Sequence, residues 1–95
     1  MQKTVSSNSN NITRRLKINI VSPERVLFEG DIVSVSVPGI SGNFEIYKDH
    51  APIISVLTSG KVVCKGGSGK EFSVDAKSGF VEMKDNYVSI CIEVN

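Results

Sequence analysis

From Leu16 onward, apolar residues recur at every second position, and a turn signal breaks the run about every eight to twelve residues. Leu16, Ile18 and Ile20 alternate with polar neighbours and stop at Ser22-Pro23. Val26 and Phe28 follow, closed by Glu29-Gly30. In "DIVSVSVPG", Val33, Val35 and Val37 share one face, with Ser34 and Ser36 on the other. Ile54 and Val56 continue the scheme, then Val62 and Cys64; "GGSG" separates these from Phe72, Val74 and Ala76. Val81 and Met83 lead through Asp85-Asn86 to Val88, Ile90, Ile92 and Val94. Successive side chains on a strand point to opposite faces, so this period describes sheets buried on one side. No window sustains a helical stripe, and the Val and Ile content suits a pleated, half-buried surface. The expected fold is all-β, a flattened sandwich or barrel of short strands.

Size and charge narrow the function. A chain of 95 residues forms one domain and buries only about two-thirds of its unfolded surface, which leaves one thin core and no deep cleft. Eleven basic against ten acidic residues create no field that would attract nucleic acid or an anionic membrane. The longest apolar runs, such as "APIISVL", fall far short of the roughly 20 residues that span a bilayer. Direct membrane insertion is therefore not expected, and any membrane association comes through a partner protein. Cys64 and Cys91 are far apart and lack CxxC spacing, which favours reduced thiols over a disulfide. With a single histidine, no metal site is expected. The opening "MQKTVSSNSNNITRR" is Ser- and Asn-rich and acid-free. It reads as a disordered extension over residues 1–15, with a short targeting peptide as the alternative. Asn11-Ile12-Thr13 matches a glycosylation sequon, but no signal peptide precedes it.

Several motifs invite chemistry. "GGSGK" lacks the first glycine of a phosphate-binding loop, and Glu71 stands where a magnesium-holding Ser or Thr is needed. It also joins two strands instead of opening a helix, so a hairpin tip accounts for it. "VDAKSGF" is similar to the modified-lysine hairpin of lipoyl and biotinyl carrier domains, which are also small β-sandwiches. That offers an alternative function with Lys77 as the attachment site, although the Asp and Lys are not adjacent. Asp49-His50 with Ser41 or Ser55 could be imagined as a triad. Adjacent residues on an extended chain diverge, however, and no GxSxG elbow is present. No catalytic residue is expected. Pro52 restricts Ala51 to extended conformations and offers no backbone donor, so the chain must swing out at His-Ala-Pro and return at Ile53. Phe44, Ile46 and Tyr47 would then lie near the rim as part of a protein-contact lobe.

Taken together, "SPERVLFEG", "VPG" followed by "SGNF", "HAP" and "SGFVE" closely resemble the epsilon subunit of rotary ATP synthases, called delta in mitochondria. The likeness runs from about Leu16 to Val94, within an epsilon-type β-sandwich domain spanning 16–95. It implies a sandwich of about ten strands, no cofactor and no catalysis. It also implies a heteromeric place in the central stalk of a proton-translocating synthase, beside the gamma subunit and on the c-ring. That position is peripheral, at the cytoplasmic face of a bacterial inner membrane. By family position, Gly42, Asn43, Phe44, Glu45, Tyr47, His50, Ala51 and Pro52 would contact the c-ring, and Ser22, Gly79 and Phe80 the gamma subunit. Asn43 replaces the family's usual acid, and Glu45 its next glycine, which moves the acidic contact two positions along. Lys48-Asp49 replaces Pro-Gly before the histidine and alters the loop. Because the sequence stops at Asn95, it is expected to lack the family's C-terminal helical hairpin and its nucleotide site.

Overall fold

Alternation becomes eight strands in a computed structural model that describes residues 15–94. The tail, targeting and sequon expectations fall outside those residues except at Arg15, whose guanidinium lies 3.5 Å from the Asp31 carboxylate. The strands are β1 (Leu16–Val21), β2 (Val26–Ile32), β3 (Ser34–Gly39), β4 (Gly42–Tyr47), β5 (Ile53–Leu57), β6 (Gly60–Lys65), β7 (Glu71–Lys84) and β8 (Tyr87–Val94). Their order is β2-β1-β8-β7-β5-β3-β4, with β6 joining β3 to β7. Every pairing is antiparallel except β1 with β8.

The long β7 makes this a sandwich. Its first half pairs with β6 and its second half with β5 and β8, so it belongs to both layers. A register shift between Ala76 and Ser78 marks the crossing. One extra residue at a bulge reverses which side chains face inward. Ala76 accordingly points inward before it, and Val81 and Met83 after it. The first layer is β2, β1, β8, late β7 and β5; the second is early β7, β6, β3 and β4. The count is eight instead of about ten partly because β7 runs unbroken through two of the expected runs.

The core lies between the layers and is built from the expected alternation: Leu16, Ile18, Ile20, Val35, Val37, Val62, Val88 and Ile90 are all buried. Phe28 and Phe72 stack at 4.7 Å between ring centres and join β2 to early β7. "GGSG" forms a hairpin tip, with a single 3₁₀ turn over Gly67–Gly69. Both cysteines are free; burial pushes the Cys64 thiol up to about 11. Among the described residues no helix is long and apolar enough to cross a membrane.

The expected placement of five residues needs correcting. Ile54 and Val56 face outward, because β5 pairs Ser55 with Val81 and Leu57 with Gly79 and so turns Ile53, Ser55 and Leu57 inward. Val33 is exposed at the bend between β2 and β3. Val26 is exposed at the start of β2, beside the register shift near Val21. Ile46 is fully buried core and not rim, since β4 aligns it with Val35.

Candidate functional site

Cross-strand register assembles an apolar outer surface on the first layer. Val21, Cys91, Phe80 and Val56 form one row across β1, β8, β7 and β5. The next row is Asn19, Ser89, Glu82 and Ile54. Ile54 is 79 % exposed, Val56 57 % and Phe80 46 %. Ile40 extends the row, because its N–H donates to the Val56 carbonyl at 3.1 Å while its side chain is exposed. At the opposite end, Pro52, Ile54, Met83 and Tyr87 help line a groove of about 550 Å³. Isolated exposed apolar residues are ordinary, but here exposed ones on β5 and β7 continue into half-buried ones on β8 and β1 to make one apolar row across four adjacent strands.

The second feature is the edge strand β4, which pairs only with β3. Asn43, Glu45 and Tyr47 alternate onto its exposed face. The Tyr47 hydroxyl donates to the Glu45 carboxylate; that bond, with the carboxylate's charge, raises the phenol's pKa above its ordinary value. Phe44 is half-buried against the core, and its ring lies where a Cβ at Gly39 would come within 2.7 Å. Gly39 leaves space for that ring. At the far end, Tyr47 leads into the crossing loop of His50, Ala51 and Pro52, all exposed. His50 Nδ1 lies 2.8 Å from the Ala51 carbonyl oxygen. A carbonyl only accepts, so Nδ1 carries the proton and is committed to the backbone, which takes it out of any Asp–His relay.

The eight proposed ring-contact residues therefore lie along one edge but do not form a compact lobe. Gly42 and Tyr47 stand about 17 Å apart along the strand, and the loop extends farther. Of the three proposed gamma-contact residues, only Phe80 presents its side chain to solvent. Ser22 is 9 % exposed, and its hydroxyl faces Glu24 and the Arg25 carbonyl in the β1–β2 turn. At Gly79 a Cβ would sit 2.2 Å from the Cys91 carbonyl oxygen; its φ of 158° also favours glycine. Its role is close strand contact. Lys77 is exposed at the bulge inside β7 and not at a hairpin tip, so the carrier reading loses its geometry. Sequence reasoning missed Val21, Ile40, Ile54, Val56 and Cys91 as surface residues. The usable signal was apolar side chains at both parities in "PIISVL" and "SICI".

The fold is thus a small β-sandwich with one apolar row on an outer face and a polar, exposed edge strip. The chain belongs to the ATP synthase Delta/Epsilon chain beta-sandwich domain family, which matches residues 15–94. It is 43 % identical to the ATP synthase epsilon chain of Leptospira interrogans over 77 residues, covering 80 % of this chain and 59 % of the relative. It is 36 % identical to the ATP synthase epsilon chain of Chlorobium limicola, covering 84 % of this chain and 91 % of that one. The chain thus spans about three-fifths of the Leptospira relative's length. The fold is also that of a chain in the Euglena gracilis mitochondrial ATP synthase (OSCP, F1 and c-ring). That match has a TM-score of 0.76 at 13 % identity and covers 97 % of this chain and 67 % of that one.

Proposed function

We propose that this chain is a non-catalytic central-stalk subunit of a proton-translocating ATP synthase, docked on a gamma subunit and resting on a c-ring. The apolar row from Val21 through Cys91 and Phe80 to Val56 carries the reading. Such a surface gains most when a partner covers it, at about 25 cal/mol per Å² of apolar area removed from water. The gamma subunit takes that face. The exposed edge of β4, with Asn43, Glu45 and Tyr47, and the loop of His50, Ala51 and Pro52 meet the c-ring.

The two contacts divide the labour. An apolar face supplies affinity through a few buried anchors. Exposed charges such as Glu45 contribute only about 0.2–1 kcal/mol per pair and fade with salt, as suits a surface that sets register. Rotation passes from the ring to the gamma subunit through a sandwich whose layers share one core. Such a chain works at the cytoplasmic face of a bacterial inner membrane without entering it.

Binding to a purified cognate gamma subunit at near-physiological salt tests the reading. The chain is expected to bind at micromolar concentration or tighter, with Phe80→Asp weakening binding about thirtyfold or more. No binding by the parent chain at tens of micromolar would refute it. The carrier alternative predicts a mass increase at Lys77 after co-expression with a lipoyl or biotinyl ligase; an unchanged mass is expected here.

A further inference from the structure

Asn86 stands where glycine would serve the backbone better. Lys84 and Tyr87 pair across β7 and β8, which leaves Asp85 and Asn86 as a two-residue turn with φ of 52° and 63°. Turns of this kind favour glycine at the second position because left-handed φ is costly with a Cβ. Asparagine tolerates that φ and also brings a side chain. Here the side chain is 5 % exposed and reaches a segment 37 residues away. Its amide oxygen accepts the Asp49 backbone N–H at 2.6 Å, and its amide nitrogen donates to the Asp49 carboxylate at 3.0 Å. The Asn86 backbone carbonyl also accepts the Lys17 N–H at 2.9 Å. One residue thus ties the β7–β8 turn to the start of β1 and to the loop that crosses from β4 to β5.

Besides this clasp, bonds within the loop itself are short in range. Asp49 is itself left-handed, with φ 66°. The His50 N–H reaches the Tyr47 carbonyl only at 3.3 Å, and Pro52 has no N–H to give. We infer that Asn86 is a positioning residue, whose reciprocal bonds with Asp49 fix the His50-Ala51-Pro52 crossing against the first layer. The consequence for docking rests on the stalk reading above: the loop end of the β4 strip is held in fixed relation to the apolar face.

Asn86→Gly separates the two roles of the residue, since it preserves the turn and deletes only the clasp. In the full chain, its melting temperature should stay close to that of the parent, while amide exchange at Asp49 and His50 accelerates about tenfold. Unchanged exchange would overturn the inference. The paired change Asp49→Asn with Asn86→Asp trades donor for acceptor and should restore slow exchange, whereas Asn86→Asp alone sets two carboxylates together and should not. A pair that fails to restore protection also overturns it. With the detergent-solubilised cognate c-ring as the probe, Asn86→Gly should bind several-fold more weakly, and full-strength binding despite a loosened loop would refute the positioning role. If the parent chain itself fails to bind the ring, the docking reading falls, and the exchange measurements still decide the clasp.

Discussion

The two outer faces of this sandwich share a core but differ in chemistry. Outside the first layer stand the row Val21, Cys91, Phe80 and Val56, and beside it Ile54 with Asn19, Ser89 and Glu82. Outside the second stand Ser36 beside Glu45 and Val63, Ser73 opposite Val63, and the Lys61–Asp75 ion pair at 3.2 Å. Both faces belong to strands with well-buried inner sides, so folding alone does not require the difference. A face that only has to meet water can be serine and ion pairs. An exposed row that includes Val56 and Phe80, with Ile54 beside it, carries a solvation cost that a partner removes. In the reading proposed above, the apolar row takes the gamma subunit and the β4 edge of the second layer takes the c-ring.

The comparison can be broken at several strengths. Ile46→Ala has the largest expected effect, a loss of about 3 kcal/mol in stability measured by urea denaturation, because it empties a fully buried site. It would show that β4 contributes to the core from one side and to contacts from the other; a loss under about 0.5 kcal/mol would return Ile46 to the rim. Phe80→Asp comes next. It should cost about 2 kcal/mol or more in gamma binding by calorimetry with the thermal midpoint nearly unchanged, since the ring is a half-exposed anchor.

Smaller effects belong to exposed polar groups on both layers. Glu45→Lys should weaken coupling of proton flow to ATP synthesis by at most about 1 kcal/mol at the contact, while ATP hydrolysis by the detached head is spared. Proton-pumping and hydrolysis assays on one preparation separate the two. Lys61→Ala should change stability by under about 0.5 kcal/mol, because both partners are exposed. Asp31 gives the smallest effect. The Lys17 hydrogen bond, with the charges of Lys17 and Arg15, holds its carboxyl below the ordinary value. Its contribution is present above the unfolded-state pKa and is lost as pH falls through the folded one. Asp31→Asn should therefore slightly flatten the acid limb of a pH–stability profile, and an unchanged limb would remove that contribution.

Most of the fold is legible in the sequence, and the reason is periodicity. Leu16, Ile18 and Ile20, or Val88, Ile90 and Ile92, have polar or small partners at the alternate positions, so their inward phase reads directly. β5 does not read this way, because Ile53, Ile54, Val56 and Leu57 are apolar at both parities; only pairing with β7 decides that Ser55 turns in. The same ambiguity conceals the apolar outer row, whose residues look like core until register places them. The swing of the chain into solvent reads correctly at His50, Ala51 and Pro52, all exposed. Its continuity is overestimated from sequence, because β4 is a straight strand between a turn and a loop. Asn86 reads as a turn residue only, since a hydrogen bond between residues 37 apart leaves no local pattern.

Cysteine accessibility tests the central claim most directly, because one native thiol already lies in the apolar row. Cys91 is half-buried there, whereas Cys64 is buried, with its thiol pushed up to about 11 and so held protonated at neutral pH. A Ser73→Cys variant adds a reporter on the opposite face. With the gamma subunit bound, maleimide labelling at Cys91 should fall strongly while the reporter at position 73 labels as fast as in the free chain. Protection at position 73 with Cys91 still reactive would place the partner on the polar face and contradict the account.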